Sequence, residues 1–307
     1  MKFNIKRFVI WITVFMFAAF ITAGIILAVT GNLALAVEQI DESKTFDAQQ
    51  INKIYVDIVS TDINVIPTNE EEITVHLYGE VSTNKDMELP SLVAYQSGDE
   101  LRIEIIQTKM ILIGINIWRT KLDIYIPEDS IEVFKADTTS SDIDVSNLAV
   151  NEFEFNTTSG DFKGESLLAS DIKLKSTSGD ISLNDYTGDV NVDLISGDVV
   201  LENGSQNESI GIVTVSGDVY IEQEDSSNMN VRVTSGDIEI NLSEDAQFFL
   251  NANTTSGHID NTFPIKITSS GRRNLEGVVG SDEKQIDVSA TSGDISLNYK
   301  EGKKEKK

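Results

Sequence analysis

Cysteine is absent from all 307 residues, which removes disulfides, thiolate metal centres and cysteine nucleophiles at once. The chain therefore needs no oxidising compartment, and the outside of a cell stays open to it. Histidine is nearly absent. His76 and His258 are the only two, too few for a histidine-rich metal cluster. Aromatic residues make up 7% and sit mostly at strand-like positions, which argues against a groove built from aromatic platforms.

Basic residues are also scarce, 24 against 50 acids, for a net charge of −26. They are unevenly placed: Lys2, Lys6 and Arg7 stand at the start, and Lys300, Lys303, Lys304, Lys306 and Lys307 at the end. Between Val37 and Tyr299 there are 48 acids against 16 bases. Phosphate recognition depends on clustered Lys and Arg, so such a body repels nucleic acid and anionic lipid and attracts cations. An apolar fraction of 40% is nevertheless enough for a packed core.

One long uncharged run is present, "FVIWITVFMFAAFITAGIILAV", residues 8–29. As a helix it would reach about 33 Å at about 1.5 Å per residue, enough to cross a bilayer core. The basic residues before it predict a cytoplasmic amino terminus and an extracytoplasmic body. Ala34-Leu35-Ala36 also fits a signal-peptidase site, so a cleaved, secreted form is the alternative.

The second half of the chain repeats one phrase. Ser-Gly-Asp occurs with Gly160, Gly179, Gly197, Gly217, Gly236 and Gly293, and as Ser-Gly-His with Gly257. The glycines step by 19, 18, 20, 19, 21 and 36 residues, a period near 19 whose last step reads as two periods with one triplet lost. Ser140-Ser141-Asp142 and Ser60-Thr61-Asp62 are degenerate copies. Each unit carries two short alternating stretches, such as Ile181/Leu183 and Val190/Val192/Leu194, bounded by turn residues. Two strands and two turns per unit make one coil of a flattened solenoid, and coils must stack at about 4.8 Å to close a shared core. Gly supplies the positive φ of a sharp corner, while Ser and Asp bond nearby backbone N–H groups.

The expected architecture is all-β: a single-stack, parallel β-helix-like solenoid of ~19-residue coils after an N-terminal transmembrane helix. Its parts are a basic stub (1–7), the transmembrane helix (8–29), a linker (30–45), a β cap or irregular first layers (46–137), the repeat solenoid (138–299) and a disordered Lys-rich tail (300–307). Within the cap, "NKDMELPSLVAYQSGDE" reads as a longer loop. "MILIGINIW", residues 110–118, is apolar enough to demand burial or a contact.

The Ser-Gly-Asp turns, the "LDIYIP" run at Leu122 to Pro127 and the closing "VSATSGDISLNY" at Val288 to Tyr299 resemble the bacterial candidate-adhesin family of repeated β-strand proteins. That family includes LiaG-like proteins of envelope-stress operons. The resemblance implies an anchored or exported β-solenoid that interacts with an envelope protein or cell-wall polymer, and it transfers no catalytic residue.

Stacking would align Asp161, Asp180, Asp198, Asp218 and Asp237 at about 4.8 Å intervals. Two readings follow: the carboxylates accept turn N–H bonds and are screened by water and salt, or they form a calcium ladder, Ca²⁺ being the one cofactor the row suggests. The double glycine of known calcium-binding β-roll repeats is missing. Paired carboxylates also hydrolyse glycosides, but an active site is a unique constellation and here every coil offers the same residues, so no enzyme is expected. The main alternative is a carbohydrate-binding or carbohydrate-cleaving β-helix. His76 alternates with Val75 and Leu77 and reads as a strand residue facing solvent. Arg272-Arg273 is an adjacent basic pair in the segment of the missing repeat and is a candidate partner contact.

Overall fold

Alternating apolar and polar residues, broken every few positions by Gly, Ser, Asn or Asp, produce strands along nearly all of the chain outside one amino-terminal helix, α1 (Ile5–Val29). The computed structural model describes residues 5–29, 36–83, 88–107, 118–128, 130–205, 208–224 and 226–300. Among these, the strands form two sheets of 12 and 13 strands.

One coil shows how the repeat works. Strand Glu152–Ser159 lies in the larger sheet, the chain turns at Gly160-Asp161, and Phe162–Glu165 lies in the smaller sheet. Both strands pair in parallel with the next coil, Phe153 beside Ile172 and Phe162 beside Ile181. Inward residues interleave between the sheets. Phe134 stacks on Phe153 at 5.4 Å between ring centroids, and Phe153 meets Phe162 at 5.5 Å. Each such fully buried side chain contributes about 1.5–3 kcal/mol. The second corner is made by Asn147, Ser166, Asp185 and Asn203, with φ between 49° and 55°. Short polar side chains are the ones that tolerate this left-handed geometry best after glycine.

The coils do not stack in sequence order. Strand Lys53–Ile58 lies between Glu100–Ile106 and Val133–Thr138, so the first coil formed by the chain is second in the stack. At the other end, Gln285–Ser292 lies between Asn228–Ser235 and Phe248–Ser256. The 36-residue step is therefore not a lost triplet. The chain builds its outermost coil first, covers it with the antiparallel strands Lys266–Ser270 and Asn274–Val279, then returns one place inward. Coils of equal period present interchangeable edges, and an antiparallel cover protects the exposed end of the larger sheet.

The opposite end is covered likewise. Ala36–Asp47 and Glu72–Thr83 extend the smaller sheet antiparallel, and Ser91–Ser97 extends the larger one. Glu42 Oε2 accepts the Leu92 N–H at 2.8 Å across the end of the stack. The expected linker thus carries a strand from Ala36, and the stretch expected as a long loop carries Ser91–Ser97.

The single-pass anchor is a correction. No helix among the described residues is long and apolar enough to cross a membrane. The single-pass placement in a membrane falls with it. The apolar segment at 110–117, the signal-peptidase motif's Ala34 and Leu35, and the lysine tail from residue 301 lie outside the described residues.

Candidate functional site along the turn edge

The Ser-Gly-Asp corners lie one above another and form a continuous edge of the stack. Along it, each Asp carboxylate accepts the backbone N–H of the corresponding residue in the next coil. Asp142 Oδ1 accepts from Asp161 at 2.9 Å, Asp161 from Asp180 at 2.8 Å, Asp180 from Asp198 at 2.9 Å, Asp198 from Asp218 at 2.8 Å and Asp218 from Asp237 at 2.8 Å. The row continues through Asp237 to Asp294 at 2.7 Å and through Asp294 to His258, also at 2.7 Å. Charge-assisted bonds of this length are the stronger kind. The row expected from the sequence is therefore a hydrogen-bonded ladder between coils rather than a set of separate turns.

One oxygen of each of these carboxylates is engaged in the ladder, and the side chains remain exposed. Among the described residues, no three His, Asp or Glu side chains converge where they could hold one metal ion. His258 does not interrupt the ladder. It occupies the outermost coil, closing the row with its ring Nδ1 3.5 Å from Asp294 Oδ1.

The corner glycines do more than supply φ. At Gly217, φ is +137°, and a Cβ would stand 1.9 Å from the carbonyl oxygen of Gly197 in the next coil. The same close approach recurs at Gly160, Gly179, Gly197, Gly236, Gly257 and Gly293. Sequence reasoning found the turn but not this contact between coils.

Both ends of the acidic edge carry basic groups. At one end Arg272 and Arg273 are exposed on the turn between the covering strands, and the Arg273 carbonyl accepts the Thr254 N–H at 2.9 Å. At the other end the outermost coil replaces the usual triplet with Arg119-Thr120-Lys121, preceded by Trp118, and Lys121 stands beside Asp62 in the position an aspartate would take. A cavity of about 460 Å³ opens here, lined by Ser60, Asp62, Tyr78, Trp118, Arg119 and Lys121 among others. This coil carries no Ser-Gly-Asp, so the glycine period in the sequence does not mark it.

His76 lies on the outer face near this end, half-exposed, with Nε2 2.8 Å from Asp41 Oδ1. Beside it Asp123 is buried under polar neighbours. It accepts from Asn64 Nδ2 at 2.6 Å and from the Tyr125 hydroxyl at 3.3 Å. Burial, reinforced by the Asp123 carboxylate, pushes the Tyr78 and Tyr125 phenols above their ordinary range, so both remain neutral donors.

A two-sheet stack of parallel coils, closed by antiparallel strands at its ends and edged by a Gly/Asp ladder, defines an all-β, β-solenoid-like repeat protein. A profile of the Toastrack DUF4097 family matches residues 51–298, and the chain belongs to that family. Among solved structures, a candidate adhesin of Bacteroides fragilis is similar at 12% identity and a TM-score of 0.50, over 85% of this chain and 97% of that one. A candidate cell adhesion protein of Clostridium sporogenes aligns at 14% identity and a TM-score of 0.34, over 86% of this chain and all of the other. No curated protein matches.

Proposed function

We propose that the protein is a non-enzymatic, adhesin-like recognition scaffold. The observation that carries this reading is the repetition of the site itself: the same Ser-Gly-Asp corner recurs coil after coil, each carboxylate engaged by a neighbouring N–H. A catalytic site needs one constellation whose groups are tuned apart from their copies. A repeated rigid edge instead offers a long surface on which a partner makes many equivalent contacts. The fold shared with a candidate adhesin of Bacteroides fragilis supports the same reading. Kinship with LiaG-like proteins, and through them a part in envelope-stress responses, is supported by the Ser-Gly-Asp turns and the Leu122 to Pro127 run.

The carbohydrate-binding alternative is a form of this scaffold reading. Its carbohydrate-cleaving form would need one carboxylate pair set apart from the repeated ones. The test is retention of the full chain on immobilised polysaccharides and proteins, measured by surface plasmon resonance. Saturable retention on at least one surface is expected, and failure to be retained on any would sink the reading.

A further inference from the structure

The cavity at the head of the turn edge has features that recur nowhere else in the repeat. Its floor is fixed from beneath: the Thr61 and Thr120 hydroxyls bond each other at 2.7 Å, and the Thr61 N–H donates to Ser141 Oγ at 3.1 Å. One wall is held by Trp118, whose Nε1–H donates to the Ser60 carbonyl at 3.2 Å. The opposite wall is the strand Glu72–Thr83. Tyr78 faces Lys121 across the ladder, and Gly79 lies so close to the neighbouring strand that a Cβ would stand 2.0 Å from the Arg119 carbonyl oxygen.

Arg119 and Lys121 are exposed at the rim, and neither forms an ion pair among the described residues. Elsewhere on the outer faces Lys53, Lys135, Lys173 and Lys175 are each engaged by carboxylates. Glu80 stands opposite Arg119 and Asp62 beside Lys121, so two cations and two carboxylates meet at this rim. A guanidinium beside an ammonium is suited to one carboxylate, the guanidinium through its paired N–H donors. The indole offers an apolar face with a polar edge, which suits the C–H face of a sugar ring. Asp62, on the same wall, accepts hydroxyls and repels further negative charge. That excludes a phosphate dianion or a polyacidic peptide and leaves a singly charged, hydroxyl-rich unit. The volume lies within the usual range for small-ligand sites, about 300–1,000 Å³.

We propose that this cavity binds an acidic saccharide of the uronic-acid class, with its carboxylate on Arg119 and Lys121, a ring face on Trp118 and hydroxyls on Asp62 and Ser60. The proposal rests on the recognition reading above and names the ligand class and the place.

The experiment is calorimetric titration of the full chain with trigalacturonic acid, its fully methyl-esterified counterpart, tetraglutamate and inorganic phosphate. Trigalacturonic acid should bind saturably, with the other three at least tenfold weaker. The variant R119Q/K121Q should lose at least tenfold in affinity while melting at the wild-type temperature, since both side chains are exposed. Lys163→Gln, an exposed cation on the smaller sheet outside the cavity, should leave affinity unchanged. Equal binding of the neutral ester, equal or tighter binding of tetraglutamate or phosphate, or full affinity in R119Q/K121Q would each overturn the proposal. So would no binding of trigalacturonic acid at millimolar concentration. Retention of the same chain on another surface in that case would leave the scaffold reading standing without this site.

Discussion

Replacing Gly217 by alanine should cost the protein much of its stability, although the substitution adds a single methyl group at the surface. The Cβ would stand 1.9 Å from Gly197 O and 2.5 Å from Gly197 C, both backbone atoms that no rotamer change can move away. Relief requires one coil to shift against the next by more than 1 Å, estimated from ordinary contact distances of about 3.5 Å. That shift strains the bonds fastening the corner: Gly197 N–H to Ser216 O at 3.0 Å, Gly217 N–H to Ser235 O at 3.0 Å, and Asp218 N–H to Asp198 Oδ1 at 2.8 Å. A non-glycine residue at φ +137° adds about 1–3 kcal/mol. Two neutral bonds at about 1 kcal/mol each and one charge-assisted bond at about 1.5–3 kcal/mol bring the expected loss to about 4.5–8 kcal/mol. Urea denaturation of the full chain measures it, with Gly98→Ala as the control. Gly98 also has positive φ, +68°, but open space where a Cβ would lie, so only the backbone cost of about 1 kcal/mol is expected there. If Gly217→Ala proves no worse than Gly98→Ala, the close approach between corners does not hold the stack, and the account of the repeated glycine is wrong.

The out-of-sequence order of the coils can be read by crosslinking, because the chain has no cysteine of its own. Thr234 and Thr291 lie side by side, between the paired residues Val233/Ala290 and Ser235/Ser292, so a cysteine pair there should oxidise readily. A pair at Thr234 and Thr255, adjacent if coils followed the sequence, should not, and the reverse pattern would refute the order. Asp198→Asn keeps an oxygen for the Asp218 N–H but removes repulsion from Asp180 and Asp218, about 0.9 kcal/mol for each neighbour in water at about 4.8 Å. It should melt above wild type at 10 mM salt, the difference vanishing near 1 M, where the screening length is about 3 Å; a lower melting point at every salt concentration would contradict the repulsion. Lys135 bridges Glu152 and Glu154 at 3.2 and 3.0 Å and holds Glu152 below the usual carboxylate range; Glu154 is lowered first by Asn156 and then by Lys135. Depressed carboxylates stabilise the fold above their unfolded range, near pH 4.3, and that contribution is lost as pH falls through their folded values. Lys135→Met should therefore flatten the fall of stability below about pH 4.5, and an unchanged slope would show that the pair does not stabilise the sheet.

How much of this was legible depended on what the repeat leaves unique. The period of the glycines and the alternation around Ile181 and Val190 were enough for two sheets, two corners and an aligned aspartate row, because each coil states the same pattern again. The same redundancy hid the order of the end coils. Lys53–Ile58 and Gln285–Ser292 carry the pattern of every other strand, so nothing local says which neighbour each will choose. The partner of each Asp was hidden too, since turn chemistry predicts a bond within the corner and stacking supplies one from the next coil. The cavity at Trp118, Arg119 and Lys121 could have been found as the coil that breaks the rule, a lysine where the others carry an aspartate. The apolar run in α1 has the composition of a membrane span, but composition over 22 residues is not itself a crossing helix, and the described structure contains none.

The most direct test of the central claim is to follow binding and chemistry in one experiment. The full chain is incubated with a panel of acidic and neutral polysaccharides, and bound protein and free reducing ends are recorded over the same hours. A scaffold is retained on an acidic polysaccharide while reducing ends stay at the level of the protein-free control. A steady rise in reducing ends, abolished by amide substitution of one particular carboxylate, would make the protein an enzyme and contradict the account.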